Sequence, residues 1–250
     1  MPSPTDFNLS PYFDDFTESK KFHRVLFRPA FAVQARELTQ SQTILQNQVE
    51  KVSDHLFEKG AMIIPGEIGY DLNYYAVKLT SIASGVSLSS FSDIVLTGGS
   101  SGVRGLVVGT DATDGTDPDT LYVKYLDSGT SKTSTAFTHG ETLSGTASLS
   151  GVDTTITCVV ATCHTGSAAE IQAGTYYING FHVEVTNQTI VLDKYTNTPS
   201  YRVGLTVTES FVTPSDDSSL NDNAAGSSNV NAPGAHRFKI DLTLAKKTLT

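Results

Sequence analysis

The chain has 250 residues, of which 38% are apolar and 17% are charged, and its formal net charge at pH 7 is -9. This length accommodates one large domain or two modest ones, and the apolar content is sufficient for packed β-type cores. The acidic balance and the lack of a Lys/Arg-rich cluster argue against nucleic acid as a partner.

Two further features narrow the class of protein. The segment Met1-Pro2-Ser3-Pro4 has no secretory signal, and no apolar run reaches the roughly 18 residues that a membrane span needs. We therefore expect synthesis in the cytoplasm and no membrane insertion. Cys158 and Cys163 are too few for a disulfide-stapled scaffold, and their odd spacing would direct them to opposite faces of one continuous strand.

Residues 1–31 are predicted to form an extended N-terminal docking arm. The arm is rich in large apolar side chains that no element of its own can cover. They are Tyr12, Phe13, Phe16, Phe22, Leu26 and Phe27. We expect a neighbouring subunit to cover them, and the alternative is that the arm folds back on its own β domain.

Residues 32–60 contain the one long helical pattern, which runs from Ala32 to Lys59. Its apolar residues recur at the spacing of a heptad seam, a stripe that faces partner helices in a coiled coil. The seam consists of d positions Leu38, Leu45 and Val52 and a positions Gln42, Val49 and Leu56. A helix of this length spans roughly 40 Å, too far for one small β domain to cover, so we expect it to be an oligomerisation helix that packs against copies of itself.

An amphipathic helix that lies across its own sheet would also place leucines on one face. Three features favour self-association over that alternative. Gln42 is a polar residue at a core position, a device that fixes register and strand number, and Gly60 is a typical helix-ending residue. The third feature is a face opposite the seam that is expected to be solvated, with Arg36, Glu37, Gln40, Gln46, Asn47, Glu50, Lys51 and Asp54.

From Ala61 the apolar pattern changes to the period of two that is typical of strands. Residues 61–170 alternate at Tyr75–Leu79 and again at Leu121–Tyr125, with turn-forming clusters between these runs. The Ser-, Thr- and Gly-rich stretch 128–149 is predicted to be either an edge meander or a linker. The predicted fold class is mainly β with one long N-terminal helix, followed by small antiparallel β barrel or sandwich modules.

Residues 171–250 are predicted to form a second β domain. Asn179-Gly180 lies between two apolar runs and predicts a β-hairpin, because this dipeptide supplies the two positive φ angles of a type I′ turn. The stretches Tyr201–Val207 and Ile240–Leu244 then alternate between buried and wet faces. Since the pattern stops without a capping element, we expect the polypeptide to continue in a longer chain.

Motifs for catalysis or metal binding are weak in this sequence, so we expect no enzyme activity, no cofactor and no metal. Gly98–Gly102 has the spacing of a nucleophile elbow, but strand-like residues follow where a helix is required. Cys158, Cys163 and His164 lack a fourth ligand. The acidic loops 111–119 and 216–222 could hold Ca²⁺, although solvated turns are the expected state.

Several passages resemble a group of virion proteins from tailed phages, especially contractile-tailed cyanophages. The similar blocks are 24–29, 33–40 and 56–60 near the start, and 199–205, 216–220 and 232–237 in the last 80 residues. Ala30 stands where many relatives are expected to have glycine. Members of this group belong to the baseplate or tail-fibre apparatus and are usually homotrimers.

The resemblance implies a virion tail protein with a structural role. We expect it to dock on other phage tail or baseplate proteins through its arm and to self-associate as a homotrimer through its helix. The alternative is a binding module of the adsorption apparatus, in which the middle β domain recognises a host surface glycan through an exposed groove.

Overall fold

The computed structural model describes residues 5–130 and 132–249. It is mainly β, with 43% of residues in strands and 13% in helical conformations, and one long helix near the N-terminus. This confirms the predicted fold class. The helix, α1, spans Ala35–Leu56. No helix in the described ranges combines the length and apolar character needed to cross a membrane.

Antiparallel strands make up most of the remaining chain. Within the described residues they are β1 (Met62–Ile64), β2 (Ile68–Ile82), β3 (Val95–Gly98), β4 (Arg104–Asp111), β5 (Thr120–Tyr125), β6 (Thr142–Leu149), β7 (Val152–Ile171), β8 (Gly174–Ile178), β9 (Phe181–Val185), β10 (Gln188–Asp193), β11 (Tyr201–Val212) and β12 (Arg237–Thr248).

The chain divides into two compact units, each built from segments that are distant in sequence. The helical unit comprises Met1–Glu67, Ile171–Gln188 and Leu205–Leu244, and the barrel unit comprises Ile68–Glu170, Thr189–Gly204 and Ala245–Thr250. The two units therefore alternate along the sequence. They do not coincide with the segments predicted as consecutive domains, which are 1–31, 32–60, 61–170 and 171–250.

In the barrel unit the sheet closes on itself. Its strand order is β10-β7-β2-β5-β4-β3-β6, and β6 also pairs with β7, which closes a ring of six strands with β10 outside it. β6 belongs to the stretch 128–149 that the sequence left open between meander and linker, and it forms a regular hairpin with β7 from Leu149↔Val152 to Thr142↔Val159. Closure protects the strand edges that an open sheet would expose.

Alternating residues of the strands fill the inside of the barrel. Val77 on β2 and Leu121 on β5 are completely buried, as the period-two pattern predicts, and Ile156 and Cys158 on β7 lie in the same core. In β6 the core residues Leu143 and Ala147 are buried. Gly145 and Leu149 lie on the same face, and Leu149 packs against the core. The Thr and Ser residues alternate with them on the other face, so few apolar residues mark this strand in the sequence.

A buried glutamate organises the turn between β3 and β4. Glu141 is 3% exposed, and its carboxylate accepts hydrogen bonds from the backbone N–H groups of Ser100 (3.2 Å), Ser101 (3.0 Å) and Thr138 (2.6 Å). It also accepts from the Ser101 hydroxyl. The carboxylate thereby satisfies donors that the strand ladders leave unpaired.

In the helical unit β1, β8 and β9 form a three-stranded sheet. β11 pairs with β12 in a separate two-stranded ribbon, of which residues 205–212 and 237–244 belong to this unit. The β8–β9 hairpin is confirmed. Ile178 pairs with Phe181 across the turn, and both turn residues have positive φ, +49° at Asn179 and +88° at Gly180. These are the angles that a type I′ turn requires.

Glu141→Ala is expected to destabilise the barrel unit by about 3 kcal/mol, because it leaves three backbone donors without their acceptor in a site that water does not reach freely. Urea denaturation measures the change. Glu184→Ala, which removes an exposed carboxylate on β9, is the control and should leave the urea midpoint unchanged. Equal midpoints for the two variants would show that Glu141 is not needed for this turn.

Candidate self-association site

The polar face of α1 is bonded to the protein's own chain. Along the first half of the helix, Gln40 donates to Asp15 (3.0 Å) and the Thr43 hydroxyl donates to the buried carboxylate of Asp14 (2.5 Å). Further along, the Gln46 amide donates to the backbone carbonyl of Gly180 in the β8–β9 turn (2.7 Å). The arm and the hairpin therefore lie along the same side of the helix.

The last turn of α1 is fixed to β8 by an aromatic cluster. The Tyr177 ring is 1% exposed, and its hydroxyl donates to Asp54 of the helix (2.5 Å). Phe57, directly after the helix, packs against Tyr177 and His182 with ring centroids 6.1 and 6.2 Å apart. Burial, followed by the bond to Asp54, raises the pKa of Tyr177, so the phenol stays protonated and remains a donor.

The ends of the helix differ in part from the prediction. α1 begins after Gln34, which forms a capping box with Glu37. It ends at Leu56, four residues before Gly60, because Phe57 leaves helical geometry and the Gly60 N–H donates to the Tyr177 carbonyl instead (2.8 Å). Gly60 has a positive φ of +88°, so it forms the turn into β1 and does not cap the helix.

The prediction that the face opposite the seam is solvated was wrong for several of its residues. Gln40 and Gln46 are partly buried and make the intramolecular hydrogen bonds described above, and the nearby Ile44 and Ser53 are buried, whereas Asp54 is exposed. A run of polar residues satisfies its hydrogen bonds equally well with water or with protein carbonyls and carboxylates. Residue type alone does not separate these two environments.

The heptad seam is the side of α1 that faces solvent. All six of its residues are exposed, and the exposed fraction of the five apolar ones lies between 47% at Val49 and 67% at Leu45. They are Leu38, Leu45, Val49, Val52 and Leu56, with Gln42 among them. We call these six residues the apolar stripe. The described residues leave about half or more of each of its apolar side chains exposed.

An exposed stripe of this kind carries a free-energy cost in water. Full burial of a Leu or Val side chain contributes about 1.5–3 kcal/mol, so five half-exposed side chains represent on the order of 5 kcal/mol per chain that burial would recover. Contiguous apolar surface on an otherwise polar protein is a mark of an interaction site. The stripe can bury itself against an equivalent stripe because a and d positions interlock between parallel helices.

The beginning of the predicted docking arm folds back on its own chain, which was the alternative expectation. Phe7 packs edge-on against Phe238 with centroids 5.0 Å apart, and Tyr12 lies 5.0 Å from Phe211. The Tyr12 hydroxyl is also 2.7 Å from His236 Nδ1. These contacts hold the first part of the arm on the β11–β12 ribbon.

The end of the arm has little such cover. Phe16 is partly buried, whereas Phe13, Phe22, Leu26 and Phe27 are between 51% and 76% exposed, and so are Phe31 and Val33 just before α1. The segment 21–33 contains no helix or strand. Ala30 adopts a φ of +67°, a conformation that favours glycine, at the position where the resemblance leads us to expect glycine in relatives.

Gly98–Gly102 and the acidic loop 111–119 lie in turns and loops with a structural role, whereas Cys158, Cys163 and His164 lie on strand β7. Gly98–Gly102 is a turn in which the Gly102 N–H donates to the Gly98 carbonyl, and strand β4 follows it where an elbow needs a helix. In the acidic loop, Asp117 binds Lys78 (2.8 Å) and Asp114 accepts from two backbone N–H groups. Within the described residues no three His, Cys, Asp or Glu side chains are grouped to hold a metal.

The two cysteines are free thiols in the barrel unit. Cys158 belongs to the core, and Cys163 on the same strand is partly buried and packs against that core. Burial raises the pKa of the Cys158 thiol to about 12 and also raises the pKa of Cys163. Both groups therefore stay protonated and poorly nucleophilic near neutral pH.

Comparison with known families gives one match. The model of the Domain of unknown function (DUF4815) matches residues 10–82 and 127–249, well over half of the chain. The chain belongs to this family. In this DUF4815 protein the first matched segment contains most of the arm, the whole of α1 and strands β1 and β2, and the second contains β6 to β12. No curated protein and no solved structure matches the chain.

Sequence reasoning missed the residues that orient the helix in this DUF4815 chain. Asp14, Tyr177 and Gly180 are far apart in sequence, and each meets α1 only through tertiary folding. An aspartate in the arm and a tyrosine in a strand carry no signal of such a contact. The amide-rich pattern of α1 was the one available hint, since Gln side chains both donate and accept.

On the hypothesis that the apolar stripe joins copies of the chain, Leu45→Asp is expected to yield monomers, because it would place one charge per chain on a desolvated axis. Sedimentation velocity of the purified chain checks this. The control is Gln48→Asp, which adds the same charge at an exposed helix position outside the apolar stripe and should retain most of the assembly. If both variants sediment like the unmodified chain, α1 does not mediate association.

Proposed function

We propose that this protein is a non-enzymatic structural component of a phage tail, in the baseplate or a tail fibre, and that it works as a homotrimer. In this proposal α1 joins three copies through the apolar stripe, and the exposed end of the arm docks on other tail or baseplate proteins. The protein is then located in the virion after synthesis in the host cytoplasm.

One observation carries the self-association part of the proposal. The polar side chains of the helix form hydrogen bonds with the chain's own arm and hairpin, and the apolar stripe is exposed to solvent. A helix that merely covered its own sheet would have the opposite orientation. Because the contacts to Asp14, Gly180 and Tyr177 already fix α1, association requires little further ordering, and the entropic cost of binding falls accordingly.

The number three and the tail location are supported by the resemblance to tailed-phage virion proteins. The stripe has mixed Val and Leu at both a and d positions, a pattern that does not by itself select a strand number. A polar Gln42 at an a position fits a defined register, since three glutamine amides around an axis can bond one another. An apolar residue in place of Gln42 would allow other registers and other numbers of helices.

The docking part rests on the segment from Phe22 to Val33. Phe22, Leu26 and Phe27 are each more than half exposed. Arg28 lies over the Phe31 ring at 4.3 Å, which fixes the local turn before the helix. An extended apolar segment can add to the sheet edge or groove of another protein.

Gln42→Leu is expected to raise the melting temperature of the assembly by several degrees or to change its subunit number, because it removes the polar group from the helix interface. Scanning calorimetry and light scattering measure the two outcomes. Gln48→Leu, outside the stripe, is the matched control. Unchanged melting and mass in Gln42→Leu would contradict the assignment of Gln42 to the interface.

Immunogold electron microscopy tests the tail location. Antibodies against this chain should label the baseplate or fibres of tailed phage particles that encode it, and particles complemented with a Leu26→Asp chain should lose the label. The purified Leu26→Asp chain should still assemble, because its stripe is intact. Label on the capsid, or particles that never carry the chain, would refute the proposal.

A further inference from the structure

A groove opens in the barrel unit where β2 and β5 separate. The ladder between these strands runs from Lys78↔Thr120 to Tyr75↔Val123 and ends there. Beyond it, Asp71, Asn73 and Tyr74 of β2 and residues 124–125 of β5 line a cavity of about 580 Å³, and the end of β7 near Glu170 forms part of its wall. This volume is in the range typical of small-molecule sites.

Tyrosine rings line the groove and are held rigidly. The Tyr74 ring stacks on Tyr122 with centroids 5.1 Å apart and planes 27° apart, and Tyr75 packs on Tyr125 at 4.9 Å. Burial, with smaller contributions from Asp71 and Glu170, raises the pKa of Tyr74 to about 12. Its hydroxyl therefore stays protonated and available to donate.

Polar groups around the rings retain their hydrogen-bonding capacity. The side chains of Asn73, Lys124 and Glu170 are exposed, and none makes a hydrogen bond or ion pair within the described part of the chain. Elsewhere in the same unit, charged groups such as Lys78 and Asp117 pair with each other at 2.8 Å. The groove thus combines fixed aromatic faces with an amide, an ammonium and a carboxylate that are free to bind a ligand.

We propose that this groove binds a neutral oligosaccharide. A sugar ring offers an apolar C–H face that packs on a tyrosine ring and hydroxyl groups that both donate and accept. Glu170 and Asn73 can accept from such hydroxyls, and Lys124 and the Tyr74 phenol can donate to them. Each of these groups exchanges water for an equivalent partner, which avoids the cost of burying an unpaired polar group.

Other ligand classes fit the groove less well. An apolar ligand would strip water from Asn73, Lys124 and Glu170 without replacing their hydrogen bonds. An acidic glycan or a nucleic acid would meet two carboxylates, Asp71 and Glu170, against the single ammonium of Lys124. The charged side chains of the groove therefore sum to a net charge of about -1, which favours a neutral sugar.

A printed array of neutral and acidic oligosaccharides, probed with the full chain, tests the proposal. Neutral hits are then titrated in free form by calorimetry, and the tyrosine fluorescence of this Trp-free chain gives a second readout. Glu170→Gln, which replaces a charge-assisted hydrogen bond with a weaker neutral one, and Asn73→Ala, which removes a hydrogen bond, are each expected to weaken binding about tenfold. Both side chains are exposed and unpaired, so the variants should fold normally.

Two controls separate the groove from the rest of the surface. Asp153→Asn removes an exposed carboxylate on the distant end of β7, and Tyr70→Ala removes an exposed tyrosine of β2 that does not line the groove. Both should bind like the unmodified chain. Leu45→Asp should also retain the affinity per chain, so that this result does not depend on self-association.

Three results would overturn the proposal. They are an array with no neutral hit, a preference for acidic glycans, or affinities that Glu170→Gln and Asn73→Ala leave unchanged.

Discussion

The orientation of α1 is the constraint on which the rest of this structure depends. The helix has 22 residues and is about 33 Å long. It can turn toward its own domain either its polar side chains, which then form hydrogen bonds there, or its apolar side chains, which are then buried. Here Gln40, Thr43, Gln46 and Asp54 bond to the arm and the hairpin, and the apolar stripe is left in water. The folded chain therefore has an unsatisfied surface that a sister copy can complete.

The same contacts explain the interleaved order of the helical unit. The arm must pass beside the helix to place Asp14 under Thr43, and the hairpin must return from residue 171 to place Tyr177 under Asp54. The aromatic cluster of Phe7, Phe211 and Phe238 then anchors the start of the arm. The segment 21–33, just before α1, keeps most of its large apolar side chains exposed.

Local patterns in the sequence predicted the local structure well. The Asn179-Gly180 turn follows from backbone geometry, and the buried faces at Val77 and Leu121 follow from strand alternation. The apolar stripe on α1 also follows from a local periodicity. The periodicity shows which residues share a face of the helix, but it does not show whether that face is buried or exposed. Other features could not be predicted, because they depend on tertiary contacts that no short-range pattern encodes. They are the pairing of β6 with β7 and the four hydrogen bonds to the Glu141 carboxylate. The groove between β2 and β5 also depends on where a ladder ends, which residue types do not specify.

Sedimentation equilibrium of the unmodified chain at micromolar concentration tests the central claim most directly. Burial of the apolar stripe between copies predicts a mass about three times that of the 26.7 kDa chain. A mass equal to that of a single chain across the whole concentration range would contradict the account, because the stripe would then be stable in water without a partner.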